Sequence, residues 1–139
     1  MEGEIYSIGH GSRTIANLIE VLDTYKIVLL VDVRRKPYST WNKDMYPERL
    51  RKVLGDRYLW MGDKLGGLSD TKPEGYKEGL QRLIELRKRG NICIMCAELH
   101  PAHCHREYWI ARDLRAMGIK VHHILGDGSI LRATQTYLI

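Results

Sequence analysis

The sequence predicts an α/β fold: a single three-layer domain over residues 1–139, with a mostly parallel central sheet flanked by helices. Three observations predict it. Short apolar, β-rich runs alternate with amphipathic stretches of about ten or more residues along the chain. One of these runs, 27–33 (Ile-Val-Leu-Leu-Val-Asp-Val), shows no alternation, as expected of a central parallel strand covered on both faces. With 139 residues and 44% apolar side chains, the chain has the length and composition of one core.

Each element has its own signal. Residues 5–8 form a strand that stops at Gly9-His10-Gly11, where two glycines permit a tight turn. Ser12 or Thr14 caps a helix whose Ile15, Leu18, Ile19 and Leu22 fall at i, i+3, i+4 and i+7. The run 27–33 is the second strand and ends at Arg34-Arg35-Lys36-Pro37. After a loop to Met45, Pro47 opens a helix with Leu50, Val53 and Leu54 as its apolar stripe. Residues 58–61 are a third strand, and 62–73 read as a long loop. Tyr76, Leu80, Leu83, Ile84 and Arg87 mark a helix stopped by Gly90, and 92–96 form the fourth strand. A helix over 105–117 turns Ile110, Leu114 and Met117 inward and stops at Gly118. Residues 121–125 supply the last strand, and Gly126-Asp127-Gly128 leads to a terminal helix through Leu131 and Tyr137.

Charge is unevenly placed. The formal net charge of +5 is carried by residues 34–64, which hold nine basic side chains against four acidic ones. Tyr38, Trp41, Tyr46, Tyr58 and Trp60 are interleaved with them. Cations that meet phosphates beside aromatic faces that stack on bases suit a nucleic acid; the bland alternative is a solvated basic face. Arg35, Lys36, Tyr38, Trp41 and Lys43 are the candidate nucleic-acid contacts. No apolar run is long enough to span a bilayer, and the acidic start Met1-Glu2-Gly3-Glu4 lacks signal-peptide character, so no membrane partner and a cytoplasmic location are expected. Three cysteines make no disulfide framework, and reduced thiols are the expectation.

Ligands of open parallel sheets bind outside the carboxyl ends of the strands. The polar residues that break the apolar pattern lie there: His10 and Arg13, Asp32 and Arg34, Asp63, Cys96 and Glu98, and Asp127. The densest chemistry is Met95-Cys96-Ala97-Glu98-Leu99-His100-Pro101-Ala102-His103-Cys104-His105-Arg106. Cys96 is either a buried, inert thiol or a thiolate favoured by Arg34, Arg106 or a helix N-terminus. Cys93 and Cys96 match CxxC, but residues three apart in a strand face opposite sides and do not bridge. Glu98 is an acid/base group if partly buried, or a salt-bridge partner of Arg106 or Arg34. Asp32 and Arg34 share a strand face, as an ion pair or as flanks of a ligand.

Several familiar chemistries fit poorly. The spacing C-x3-H-x2-H-C-H is not that of a zinc site, and the zinc-deaminase signature is absent, so no metal is expected. The residue six after Cys96 is Ala102 and the one six after Cys104 is Ile110, so neither cysteine has a phosphatase-loop arginine. Gly9-His10-Gly11-Ser12-Arg13 matches neither the P-loop nor the dinucleotide fingerprint, and no cofactor is implied, although its backbone N–H groups can cradle phosphate. Cys104-His105-Arg106 opens a helix, where free N–H groups and the dipole favour an anion.

Ser7-Ile8-Gly9-His10-Gly11-Ser12-Arg13, Val31-Asp32-Val33-Arg34 with Pro37, Leu65-Gly66-Gly67, and Cys96-Ala97-Glu98 with Cys104-His105-Arg106 together resemble domain-of-unknown-function family 488, over nearly the whole chain. The resemblance implies a compact α/β domain in which His10, Arg13, Asp32, Arg34, Glu98, His105 and Arg106 belong to shared motifs. The reading that follows is an enzyme whose pocket accepts a phosphate-bearing substrate, a nucleic acid or nucleotide. In it Arg13, Arg34, Arg106, His105 and Ser12 bind the anion, Glu98 or Asp32 does acid/base work, and Cys96 and His10 are secondary catalytic candidates. The alternatives are a non-catalytic nucleic-acid-binding module and, third, a metal-binding or redox protein.

Overall fold

The computed structural model describes residues 2–67, 71–101 and 104–131. Its strands β1 (Ile5–Gly9), β2 (Ile27–Asp32), β3 (Tyr58–Trp60), β4 (Asn91–Cys96) and β5 (Val121–Ile124) form a parallel sheet in the order β3-β2-β4-β1-β5. Helices α1 (Ile15–Thr24), α2 (Pro47–Leu54), α3 (Gly62–Leu65), α4 (Tyr76–Leu86) and α5 (Arg112–Ala116) connect them. Thr14, not Ser12, caps α1, its hydroxyl accepting from the Asn17 N–H at 3.1 Å.

Alternation along the strands divides the core into two halves. Ile92, Ile94 and Cys96 of β4 join Leu29 and Val31 of β2 beneath α4 and α5. Cys93 and Met95 join Leu30 and Ile27 beneath α1 and α2. Helices therefore cover both faces of the sheet, and the central strands are apolar on both.

The connections locate the site. From β1 the chain passes by way of α1 to β2, and from β4 by way of α5 to β5, on opposite faces. Neighbouring β1 and β4 thus diverge at their carboxyl ends, which is where such sheets open a crevice. Beyond the ladder the His10 N–H donates to the Cys96 carbonyl at 2.9 Å and the Gly11 N–H to the Ala97 carbonyl at 3.0 Å. These bonds bring the two loops into register.

Several expectations need correction. Part of the 62–73 loop is helical, as α3. Val53 and Met117, expected inward, are exposed, Met117 by 48%. Each follows from where its helix meets the sheet: α2 rests on Leu50 and Leu54, and α5 ends at Ala116, one residue short of Met117. The helix expected over 105–117 opens as a π-helix, Arg106–Ala111, before α5. Leu131 is not helical: Ile130 bridges Ile124 antiparallel and the Leu131 N–H donates to the His123 carbonyl at 2.8 Å. The rest of the expected terminal helix, Tyr137 included, lies outside the described residues. No helix among the described residues is long and apolar enough to cross a membrane.

Candidate functional site

The crevice between the ends of β1 and β4 is a cleft of about 620 Å³. His10, Gly11 and Ser12 line one side, Ala97, Glu98, Leu99 and His100 another, and Ser39, Thr40 and Trp41 a third. A smaller cleft of about 240 Å³ adjoins it across Ser39, Thr40 and Ala97, lined also by Arg34, Arg35, Lys36, Gly67 and His105. On the outer side of the 35–41 loop a hollow of about 500 Å³ is lined by Arg35, Lys36, Tyr38, Arg51 and Trp60. One loop therefore walls all three spaces.

That loop presents its chemistry to solvent. Trp41 is 78% exposed and Tyr38 50%, and Arg35, Lys36 and Lys43 are exposed as well. Tyr38 is held by a hydrogen bond from its hydroxyl to Glu48 and by an edge contact with Tyr46 at 5.3 Å between ring centroids. Large exposed aromatics beside cations that form no ion pair among the described residues are the unusual feature of this edge.

Beneath the loop, Asp32 and Arg34 form a closed unit. Arg34 Nε donates to Asp32 Oδ1 at 2.8 Å and Nη2 to Oδ2 at 2.7 Å, the bidentate geometry a guanidinium favours. The Arg34 N–H and the Tyr58 hydroxyl complete the carboxylate, at 3.1 and 2.6 Å. Asp32 is fully buried, so it positions Arg34 and does not face the cleft. Arg34 Nη2 also donates to the Met45 carbonyl at 2.7 Å, while Nη1 reaches His10 Nε2 at 3.3 Å. Since an arginine only donates, Nε2 accepts, and His10 Nδ1–H donates to the Gly11 carbonyl at 3.0 Å. His10 is the neutral Nδ1–H tautomer, and burial first, then Arg34, lowers its pKa.

The three arginines expected to share an anion do not gather on one cavity. Arg13 donates to the carbonyls of Gly9 (3.1 Å) and Leu125 (2.6 Å) and to Asn17 Oδ1 (2.7 Å), toward the β5 edge. Arg106, 0% exposed, donates to Ser7 Oγ (2.9 Å) and to the carbonyls of Glu98 (2.7 Å) and Leu99 (2.8 Å). The physical reason is shared: strands that end at this edge leave carbonyls facing outward, and buried carbonyls need donors. Glu98 is exposed in the larger cleft, and among the described residues its carboxylate has no ion-pair partner. The expected salt bridge to Arg106 or Arg34 is absent because Arg106 takes the Glu98 carbonyl and Arg34 takes Asp32. His105 Nε2 contacts the Val33 carbonyl at 3.2 Å and its ring packs edge-on against Trp109, with burial lowering its pKa. His103 lies outside the described residues.

Two arrangements escaped the sequence reading. Cys104, not Cys93, is the partner of Cys96: the two thiols pack in the same half of the core and each shifts the titration of the other, while the Cys104 sulfur also lies 3.6 Å from His105 Nδ1. Strand parity was the available signal, since Cys96 faces the side that carries the helix following Cys104, whereas Cys93 faces the other. Burial would raise the Cys96 thiol, but the Cys104 hydrogen bond and the Arg106 charge outweigh it and bring the pKa to about 7. The same contact and burial push Cys104 up, and burial pushes Cys93 up.

The second is a buried chain behind the site. Ser7 and His123 are register partners on β1 and β5. Arg106 donates to Ser7 Oγ, Ser7 bonds His123 Nδ1, and His123 Nε2 meets Glu107 Oε1 at 3.2 Å. Arg115 closes the chain on both Glu107 oxygens at 2.9 Å. Burial opposes the Glu107 charge, yet the His123 and Arg115 hydrogen bonds hold its pKa at about 2, below the usual 4.5. A carboxylate whose folded pKa is depressed stabilises the fold above its unfolded pKa, and that contribution is lost as pH falls through the folded value. Acid titration of stability should therefore show about 2 kcal/mol lost between roughly pH 4.5 and pH 2. Glu107→Gln should flatten this slope; an unchanged slope by urea denaturation across that range would exclude Glu107 as its source.

A family model described as "Domain of unknown function DUF488" matches residues 14–77 and 69–112. No curated protein and no solved structure matches the chain.

Proposed function

The chain belongs to the DUF488 family, and from that premise and its cleft we propose an enzyme that works by acid/base chemistry on a nucleotide or nucleic-acid strand at the carboxyl edge of the sheet. The observation that carries this reading is the 35–41 loop. It sets exposed Trp41 and Tyr38 beside Arg35 and Lys36 and walls the cleft that contains Glu98. Aromatic faces accept bases, the cations meet phosphates, and the exposed Glu98 carboxylate supplies a group in the cleft for proton exchange. His10 presents no free nitrogen, because Arg34 and the Gly11 carbonyl take both. Its part, with Asp32 and Arg34, is to shape the floor, and Ser12 and His105 border the phosphate.

Binding and turnover separate the parts of the proposal. In anisotropy titrations with a labelled single-stranded oligonucleotide, Trp41→Ala should weaken binding by about tenfold. Arg35→Ala and Lys36→Ala should each reduce the slope of log K against log salt by about 0.7. Glu98→Gln should retain binding and lose turnover. Binding indifferent to salt and to all these changes would overturn the reading.

A non-catalytic nucleic-acid-binding module is the second reading. One observation favours it: Asp32, Arg34 and Arg106 are all occupied by protein groups. Equal turnover by wild type and Glu98→Gln, with binding still dependent on the loop, selects this alternative.

A further inference from the structure

Arg106 poses a problem of charge that its hydrogen bonds do not solve. Its guanidinium is fully buried, and among the described residues no carboxylate pairs with it; the adjacent Glu107 carboxylate is taken by Arg115 and His123. Carbonyls of Glu98 and Leu99 and the Ser7 hydroxyl accept its hydrogen bonds but bring no compensating charge, and among the described residues its Nε–H has no partner. A buried cation is costly unless a negative group accompanies it. The ionisable group beside it is the Cys96 thiol, which donates to the Glu98 carbonyl at 3.7 Å, the same carbonyl that Arg106 holds.

We propose that Cys96 and Cys104 form a redox-active dithiol, in which a Cys96 thiolate held by Arg106 reduces a small hydroperoxide and Cys104 resolves the product as a disulfide. This does not rest on the nucleic-acid reading. In the first step the Cys96 sulfur attacks one peroxide oxygen: an S–O bond forms, the O–O bond breaks, and hydroxide leaves to take up a proton as water. Cys96 is then a sulfenic acid. In the second step the Cys104 thiol gives up its proton and its sulfur attacks Cys96. The S–S bond forms, the S–O bond breaks, and a second water departs. Two thiols and one hydrogen peroxide become one disulfide and two waters, and an external dithiol restores the pair.

The surroundings match each role. Cys96 sits at the end of β4 and Cys104 just ahead of the π-helix, so the two are on separate elements and share one half of the core. Cys96 is 3% exposed, immediately beneath Ala97, which borders both clefts. Such burial refuses a bulky disulfide, and for that reason the oxidant proposed is a small hydroperoxide. Cys93, on the opposite face of the sheet and fully buried, serves as an internal control.

Peroxide treatment of the wild-type protein, followed by alkylation and peptide mapping, should give a Cys96–Cys104 disulfide with Cys93 still a thiol. Before oxidation Cys96 should be alkylated at neutral pH about tenfold faster than Cys104, although Cys104 is the more exposed. Cys104→Ser should stop at a sulfenic acid on Cys96, read as the gain of one oxygen by mass spectrometry. Neither wild-type measurement depends on a variant that folds. Retention of all three thiols under peroxide, a disulfide involving Cys93, or Cys104 reacting as fast as Cys96 would overturn the proposal. A glutathione adduct on Cys96 that precedes the disulfide would overturn the assignment to a small hydroperoxide.

Discussion

Asp32→Asn should cost about 3 kcal/mol of folding stability, read as a lower urea midpoint at unchanged slope. The wild-type carboxylate accepts four hydrogen bonds, from Arg34 N, Nε and Nη2 and from the Tyr58 hydroxyl, and no solvent reaches it. An amide of the same shape replaces one acceptor by a donor, so an N–H2 group faces an existing donor. It also removes the negative charge that balances a buried guanidinium. Breaking one partner of a buried pair costs more than the pair contributes, because the other is left uncompensated. The consequence reaches the cleft, since Arg34 also fixes the His10 ring and the Met45 carbonyl. Within experimental error of wild-type stability, Asp32→Asn would show that the ion pair does not organise the edge.

Gly9→Ala should be of comparable severity, about 3 kcal/mol, with loss of the cleft geometry. Gly9 is the last residue of β1, paired with Cys96. A Cβ there would lie 1.7 Å from the Glu98 carbonyl oxygen, 2.4 Å from its carbon and 2.7 Å from the Leu99 Cα. All three are backbone atoms, so no rotamer change relieves the overlap. The 98–99 segment would have to withdraw, and Arg106 would lose carbonyls that it now holds at 2.7 and 2.8 Å. Gly126→Ala is the matched control: among the described residues its Cβ would meet only Leu99 Cδ1, at 4.0 Å, and stability should change by less than about 0.5 kcal/mol. Equal stability of both variants would show that the close approach of β1 to the β4 loop is dispensable.

The difference between these residues and the loop explains what could be read in advance. Elements whose signal is local were legible. The apolar run of β2, the i, i+3, i+4 pattern of α1, Pro47 at the start of α2 and the glycine stops all act through near neighbours in sequence. The exposed set Arg35, Lys36, Tyr38, Trp41 and Lys43 was legible for the same reason, being one continuous segment. In sequence Gly9 resembles a turn residue, whereas in the fold it must allow close contact with a segment far along the chain. A guanidinium near a strand end suits phosphate and backbone carbonyls alike, so the sequence does not reveal the carbonyls that Arg13, Arg34 and Arg106 hold.

Composition and periodicity by themselves determined a parallel α/β sheet covered on both faces, its cysteine-rich carboxyl edge and the basic, aromatic loop beside it. These follow from burial patterns with periods of about two and 3.6 residues, which a chain carries in its own order. The tertiary structure decided the strand order, the divergence of β1 and β4 that opens the cleft, the pairing of Cys96 with Cys104, and the Ser7–His123–Glu107 chain. Each joins residues of different elements, such as Ser7 with His123 across 116 positions. Such contacts depend on how strands are ordered and which way each loop turns, and no local periodicity encodes either.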